Sequence, residues 1–294
     1  MPPFLRRLFP EPGRSLRAVA AGLALLGLAS AATPATAETY LPERLRLDYA
    51  VHVGGVRALR AHLDLALEPG SYSIDLNIEP KGIFRALIPW GSVVHADGVV
   101  DGGTLAPRAY RTTDIWRSDS RTVRLSYDPA GPVVTTSEPP GDEEDDTRVP
   151  AALTQGTRDP LSGLLALMAR TAGGQPCGGE VAVYDGRRRY DLRLVAAGTE
   201  VIAATRNSVF EGTAQRCEVE QAFVAGKPWK KRVFDPDAAE RVPPAIFVAP
   251  VMPGSAPVPV RVEMQSPLGT LAITLEKVDR LVQTAEMPAG EARR

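Results

Sequence analysis

The amino-acid sequence predicts a mainly β protein: one strongly curved antiparallel sheet, or an incomplete barrel, with a single packed helix in a domain over residues 38–285. Apolar and polar residues alternate in many segments of strand length, 26 Gly and 27 Pro supply turns between them, and one segment has helical spacing. With 44% apolar residues the chain can bury a substantial core. Two sheet lobes that share one core are the alternative.

The first 37 residues have the pattern of a signal peptide. Arginines precede the uncharged run 18–32, and Ala35-Thr36-Ala37 is the small-x-small pattern that signal peptidase recognises. We therefore expect cleavage after Ala37 and a periplasmic location. The run is shorter than the about 20 apolar residues of a membrane-spanning helix, yet its retention as an anchor stays open. The small, polar residues 286–294 are expected to form a disordered tail.

Three alternating segments follow the leader, at residues 44–53, 62–68 and 72–79. Gly54-Gly55 and Pro69-Gly70 separate them, so an antiparallel meander with one apolar face is predicted. The alternation continues more loosely in three further segments: 91–100, 104–116 and 121–136.

The one predicted helix covers residues 160–172. Asp159 is a good N-cap, Pro160 suits the first helical position, and leucines then recur at helical spacing. We expect this helix to pack on the concave side of the sheet. Near the end of the chain, residues 258–264 and 271–276 predict a terminal hairpin.

Cys177 and Cys217 are the two cysteines of the chain, and export would permit a disulfide between them. Such a bond would tie a hairpin to a later strand and stabilise by about 4 kcal/mol in the chain-entropy model. A redox-active pair is the alternative, although the spacing is unlike C-x-x-C.

Residues 181–192 predict a β-hairpin with a two-residue type I′ turn at Asp185-Gly186. That turn would place Val183 opposite Arg188, so that Arg188 shares the apolar face with Tyr190. A guanidinium on an apolar face has two interpretations. It extends past the sheet edge into water, or it lies at the mouth of a cavity and pairs with an anionic group of a ligand.

The helix motif DPLSGLLALMAR, the Cys177 segment with its VYDGRRRYDL hairpin, and the Cys217 strand together resemble an uncharacterised family of exported β-rich proteobacterial proteins. That family is known only as a domain of unknown function, and the resemblance covers roughly residues 40–280. It implies an envelope location and a highly curved antiparallel sheet, and it brings no catalytic residues. A relation to the curved-sheet carriers of lipoproteins is a fold-level analogy.

Residues 83–90 (IFRALIPW) are apolar but do not alternate. One interpretation is a short helix that caps one end of a barrel. The other is a mobile lid or a membrane-facing edge with Trp90 at the interface.

No catalytic, metal-binding or nucleotide-binding motif is present, and the three histidines are dispersed. The acidic run 141–147 lacks the alternation and central glycine of a calcium loop, so a solvated loop is expected. Without the leader the chain is mildly acidic, which argues against nucleic acid as a partner. We expect no cofactor and no metal.

The sequence thus predicts a non-enzymatic envelope protein that binds a lipid or another amphipathic ligand in its curved sheet. The candidate ligand-binding residues are Arg188, Tyr190 and Trp90. An assembly or structural factor that binds another envelope protein, and a hydrolase with dispersed catalytic residues, are the alternatives.

Overall fold

The computed structural model describes residues 43–87, 89–140, 148–205, 208–228, 242–266 and 269–281. The described strands form one antiparallel sheet of 13 strands, in the order β7-β6-β5-β4-β3-β2-β1-β13-β12-β11-β10-β9-β8. Their bounds are β1 (Glu43–Val53), β2 (Val56–Glu68), β3 (Ser71–Pro80), β4 (Trp90–Asp101), β5 (Thr104–Trp116), β6 (Asp119–Ser126), β7 (Val134–Glu138), β8 (Glu180–Tyr184), β9 (Arg188–Ile202), β10 (Gly212–Gly226), β11 (Ala245–Pro250), β12 (Pro257–Ser266) and β13 (Gly269–Arg280). The helices are α1 (Phe84–Leu87) and α2 (Pro160–Ala169), with 3-10 turns at Ala151–Leu153 and Ala172–Gly174.

The predicted meander forms as expected because its apolar residues lie directly opposite one another on neighbouring strands. Leu47 of β1 lies opposite Leu63 of β2, which lies opposite Leu76 of β3. Cross-strand pairs of this kind fix the register, since a slip of one residue would expose the whole apolar face. The first and last strands, β1 and β13, are also paired.

Register shifts interrupt five of the strand pairs, for example at Asp48/Tyr49 between β1 and β13 and at Asp97/Gly98 between β4 and β5. Bulges of this kind bend the bulged strand and increase its twist. The resulting sheet curves around α2, which contacts β4 and β5 in one half of the sheet and β8, β9 and β12 in the other.

The helix α2 lies where the sequence places it. The Asp159 side chain accepts hydrogen bonds from the backbone N–H groups of Leu161 and Ser162, and Pro160 is the first helical residue. Leu165, Leu167 and Met168 are buried in the same core as the sheet. The concave side is therefore occupied by protein.

The sheet does not close, because β7 and β8 are both edge strands. The outer edge of β8 pairs with Arg158, whose N–H donates to the carbonyl of Ala182 and whose carbonyl accepts from the N–H of Tyr184, each at 2.8 Å. The Thr135 hydroxyl of β7 donates to the Tyr184 hydroxyl at 3.2 Å. We call the space between β7 and β8, with the segment 148–159 that bridges it, the seam.

Two strand predictions need correction. The segment 121–136 is two strands, β6 and β7, because a turn in which the N–H of Gly131 donates to the carbonyl of Asp128 reverses the chain. The strand β11 was not predicted, since its residues are almost all buried and so do not alternate.

The register of the β8–β9 hairpin also differs from the prediction. Val183 lies opposite Tyr190 rather than Arg188. The Asp185 N–H donates to the carbonyl of Arg188, and the Asp185 side chain accepts from the N–H groups of Arg187 and Arg188, so the two turn residues are Gly186 and Arg187 rather than Asp185 and Gly186. The register moves by two residues, so Arg188 and Tyr190 stay on the predicted face.

The predicted disulfide between Cys177 and Cys217 is present, with a Cα–Cα distance of 5.7 Å across a separation of 40 residues. Three other predictions lie outside the described residues: the leader, the tail 286–294 and the acidic run 141–147. Within the described part of the chain, the helices fall short of the length and hydropathy needed to cross a bilayer.

Candidate functional site

A cavity of about 380 Å³ lies in the seam. Its walls come from β6, β7, the segment 148–154, the β8–β9 turn and the end of β10. The lining residues are Arg121, Val123, Val133, Thr135, Ser137, Arg148, Val149, Ala151, Thr154, Tyr184, Gly186, Arg187 and Lys227. A volume of this size lies within the usual range for small-molecule sites.

Strand periodicity directs side chains from β6 into this cavity. Arg121 and Val123 alternate onto the face that also carries the buried Leu125. In the neighbouring β7, Ser137 lies opposite Val123 and Thr135 opposite Leu125. Arg121 is thus a charged residue near the start of β6, on the same face as the buried Val123 and Leu125.

The segment 148–154 is fixed by hydrogen bonds of Thr154, which is buried. Its hydroxyl accepts from the N–H of Val133 at 3.0 Å and donates to the carbonyl of Ala151 at 2.8 Å. These bonds attach the segment to the residues just before β7. Arg148 and Val149 are therefore positioned by the same sheet edge that carries the hydroxyl groups.

Two glycines allow the turns to approach closely. Gly186 has φ of 88°, and a Cβ there would lie 2.4 Å from Cγ1 of Val123. Gly226 has φ of 103°, and a Cβ there would lie 2.1 Å from the carbonyl oxygen of Arg187. Both positions need the left-handed backbone that glycine adopts without steric cost.

Four cations line the cavity: Arg121, Arg148, Arg187 and Lys227. Partial burial lowers the pKa of Arg187, the neighbouring guanidinium groups of Arg121 and Arg188 lower it further, and the carboxylates of Asp185 and Asp114 counteract this. The Nε atom of Arg121 is buried and has no hydrogen-bond partner in the described part of the protein. Like charges held together in this way are stabilised by an anion.

Asp114 lies directly across from Arg121 on the neighbouring strand, and Asp114 and Asp185 both act on Arg187. Asp185 forms its ion pair with Arg188 at 3.2 Å, and the described lining residues include no Asp or Glu. Arg121, Arg148 and Arg187 take part in none of the ion pairs among the residues that the structure describes.

The rest of the wall combines valines with the hydroxyl groups of Thr135, Ser137 and Thr154. Val123, Val149 and Tyr184 are buried, and Val133 packs against the core. Arg148, Arg187 and Lys227 are exposed. The cavity therefore has exposed cations at its mouth and buried valines beside hydroxyl groups in its wall, an arrangement that suits a ligand with an anionic group and an apolar part.

The three predicted ligand-binding residues are not among the lining residues of this cavity. Arg188 is half-buried and pairs with Asp185. Tyr190 is buried, and burial raises the pKa of its hydroxyl. Trp90 lies opposite Trp116 at the start of β4. Their roles stay predictions.

The residues that the sequence did not single out are the four cations of the cavity. They are spread from residue 121 to residue 227, and only the sheet order, which brings β7 to β8, puts them together. One pattern in the sequence could have indicated Arg121. It shares a strand face with Val123 and Leu125, as Arg188 shares a face with Tyr190.

A second cavity of about 500 Å³ lies at the opposite end of the sheet and is mostly apolar. Its lining comes from the residues before β10, the β11–β12 turn and β13: Val209, Phe210, Glu211, Pro250, Val251, Met252, Pro253, Leu275 and Val278. It has no cluster of charges or polar groups that would orient a ligand.

The N-terminus of α2 carries a buried carboxylate, Asp159. Burial raises its pKa, and the bonds from Ser162 and Leu161 counteract this in part. The hydroxyl of Tyr72 donates to the Ser162 hydroxyl at 2.7 Å beside it. Burial likewise raises the pKa of the nearby Tyr110 and Tyr127. This cluster stabilises the helix start.

The histidines lie apart. His62 bonds to Asp48, and His95 bonds to Asp75 at 2.8 Å, on the outer face of the sheet. No group of three His, Cys, Asp or Glu side chains among the described residues could hold a metal ion.

Comparison with known proteins identifies a family and several solved structures that match the chain. A family model described as a protein of unknown function, DUF3108, matches residues 48–276, and no curated protein matches the chain. A crystal structure of a β-barrel-like protein of the domain of unknown function DUF1849 from Brucella abortus is 11% identical. It has a TM-score of 0.46 over 81% of this chain and 98% of that chain. The family model spans most of the sequence, and the chain therefore belongs to the DUF3108 family of proteins of unknown function.

Proposed function

We propose that the protein is an exported, non-enzymatic binding protein whose seam cavity holds an amphipathic ligand with an anionic group. One observation carries this proposal: four cations line one cavity together with three valines. The anionic group would lie among Arg121, Arg148, Arg187 and Lys227, and the apolar part would contact the valines. Guanidinium groups suit carboxylate and phosphate oxygens because they donate two parallel hydrogen bonds.

The open sheet explains why the ligand would lie in the seam. The helix α2 fills the concave side that the sequence suggested as the ligand space. The edges β7 and β8 meet without forming a ladder between them, so the space left there opens to solvent and can admit a ligand.

Export is supported by the signal-peptide pattern of residues 1–37 and by the disulfide between Cys177 and Cys217. Disulfides persist in oxidising compartments and are rare in the cytosol. The periplasm is therefore the compartment that we propose.

Nothing in the described geometry favours the hydrolase alternative. Both cysteines are in the disulfide, and the hydrogen bonds of His62 and His95 go to carboxylates on the outer face. A nucleophile with an adjacent base, which such catalysis requires, is not formed by these residues.

Calorimetric titration with four probes tests the proposal: octyl phosphate, octanoate, octyltrimethylammonium and inorganic phosphate. We expect the two anionic amphipaths to bind and the cationic one not to bind. Inorganic phosphate should bind more weakly than octyl phosphate, because it does not contact the valines. The ratio of octyl phosphate to octanoate affinity identifies the preferred anion.

Variants locate the binding. The double variant Arg121→Gln/Arg187→Gln should weaken octyl phosphate binding at least about tenfold, or 1.4 kcal/mol. The control Arg111→Gln/Arg193→Gln removes the same charge from exposed residues on the outer face and should leave affinity unchanged. Equal affinity in both variants, or equal binding of the cationic amphipath, would refute the proposal.

A further inference from the structure

The arginines of the seam cavity carry more positive charge than the described carboxylates beside them offset. Three arginines line the cavity without an ion pair among the described residues: Arg121, Arg148 and Arg187. Two carboxylates act on Arg187, and one of them, Asp185, is paired with Arg188. The other is Asp114. The three arginines therefore face one carboxylate, which leaves an excess of two positive charges even when Lys227 is not counted.

Asp114 lies on the same face of the sheet as Arg121. The two residues are directly opposite each other in the β5–β6 ladder, and residues paired in this way share a face with their Cβ atoms about 4.5–5.5 Å apart. That face of β5 also carries the buried Tyr110, and β4 places the buried Ser92 opposite Asp114. Asp114 is not a lining residue of the cavity. It therefore offsets charge beside the cavity without occupying the space of a ligand.

The hydrogen-bond donors of the cavity also outnumber the oxygens of a carboxylate. The Nε atom of Arg121 is buried and has no hydrogen-bond partner among the described residues, and each guanidinium carries five N–H donors. The hydroxyl group of Ser137 lines the same cavity. A carboxylate offers two oxygens and one negative charge, whereas a phosphate monoester offers three terminal oxygens and close to two negative charges at neutral pH. A phosphate monoester therefore matches both the donors and the excess charge.

We infer that the seam cavity selects a phosphate monoester in its dianionic form over carboxylates and phosphodiesters. This inference rests on the proposed function and narrows the class of its ligand. A monoanion would leave part of the excess charge of the arginines unbalanced, while a dianion balances it within one compact group. Asp114 acts as an opposing charge, because a carboxylate on this face of the sheet repels any anion that is bound beside Arg121.

Calorimetric titration with matched amphipaths tests the selectivity. Octyl methyl phosphate has the chain of octyl phosphate but only one negative charge, and octanoate carries a carboxylate. At about pH 7.5, where the monoester is mostly dianionic, octyl phosphate should bind at least about tenfold more tightly than either of them. Inorganic phosphate, which lacks the chain, distinguishes free phosphate from an ester as the source of the phosphate group.

The pH dependence of binding gives a second readout. The second pKa of a phosphate monoester is about 6, so at about pH 5 the advantage of octyl phosphate over octyl methyl phosphate should shrink to less than about threefold. The described lining includes no histidine, the side chain that ordinarily titrates in this range. Burial raises the pKa of Tyr184. The other charged groups that face the anion act on both esters alike: the four lining cations, Asp114, Asp185 and Arg188.

The variant Asp114→Asn tests the opposing charge. It should tighten octyl phosphate binding at least about threefold at low ionic strength, because it removes a negative charge from the face that carries Arg121. The matched control is Asp101→Asn, which removes a carboxylate from the exposed far end of β4 and should leave the affinity unchanged. Unchanged or weaker binding in Asp114→Asn would overturn the role given to Asp114.

Equal affinity for octyl phosphate and octyl methyl phosphate, or an advantage that is the same at both pH values, would overturn the selectivity. Inorganic phosphate that binds as tightly as octyl phosphate would overturn the assignment of an ester, in favour of free phosphate. Octanoate that binds as tightly as octyl phosphate, and is lost in Arg121→Gln/Arg187→Gln, would sustain the proposed function while the phosphate preference fails. If none of the anionic amphipaths binds, the proposed function fails, and the inference fails with it.

Discussion

Asp159 shows how one residue combines two opposing effects. Its carboxylate accepts from two backbone N–H groups at the start of α2, as an N-cap should. Yet it is fully buried, and burial raises its pKa. Its second oxygen, Oδ2, has no partner among the described residues. The ionised form is therefore favoured less in the folded chain than in the unfolded chain.

The consequence is a pH dependence of stability that Asp159→Asn should remove. When the pKa of an acid is raised on folding, the protonated acid makes its full contribution to stability. That contribution is lost as the pH rises from the ordinary pKa through the raised pKa. Asparagine keeps the cap acceptor without the charge. Urea unfolding should show the variant gaining free energy of unfolding relative to the wild type as the pH rises from about 4 towards 7.

Any pH-independent effect of the buried amide on the free energy of unfolding cancels, because the comparison uses only the change of that free energy with pH. Parallel stability curves for the two proteins would contradict the account of Asp159.

At the scale of elements, the β8–β9 turn is the contact between the two edges of the sheet. Gly186 in this turn lies against Val123 of β6 and has a left-handed backbone. Its replacement by alanine combines backbone strain with a collision in the cavity wall.

We expect Gly186→Ala to lower the free energy of unfolding by about 1–3 kcal/mol, measured by urea denaturation. The control is Gly178→Ala, because a Cβ at Gly178 meets no atom within 4 Å. Equal stability of both variants would show that the turn does not press on β6.

The sequence predicted the elements well where side-chain periodicity was clear. The alternation of β1, β2, β3, β12 and β13 and the N-cap of α2 all appear in the structure, because each depends on residues close in the chain. The turn of the β8–β9 hairpin differs because the Asp185 side chain bonds to the backbone of Arg187 and Arg188. The strand β11 is buried on both faces, so it left no alternation to detect.

At the scale of the whole molecule, the candidate site could not be predicted because it depends on long-range order. The sequence indicated a curved sheet, a helix on its concave side and an anionic partner for an arginine. It did not indicate that β7 and β8 meet as unpaired edges, which is what creates the seam. The candidate cavity therefore combines Arg187, the neighbour of Arg188, with cations more than thirty residues away on either side, and the role of Arg188 stays a prediction.

The same order gives the molecule two distinct ends. The end with α1 carries the cationic mouth of the seam cavity, while the other end carries the larger apolar cavity between the β11–β12 turn and β13. A ligand with an anionic group is thus expected at the α1 end.

Native mass spectrometry of the protein, purified gently from the cells that produce it, tests the seam site most directly. We expect a bound species that carries an anionic group and an apolar part, and that is depleted in Arg121→Gln/Arg187→Gln but retained in Arg111→Gln/Arg193→Gln. A clean unliganded mass for the wild type that persists after incubation with octyl phosphate would contradict a binding role for the seam.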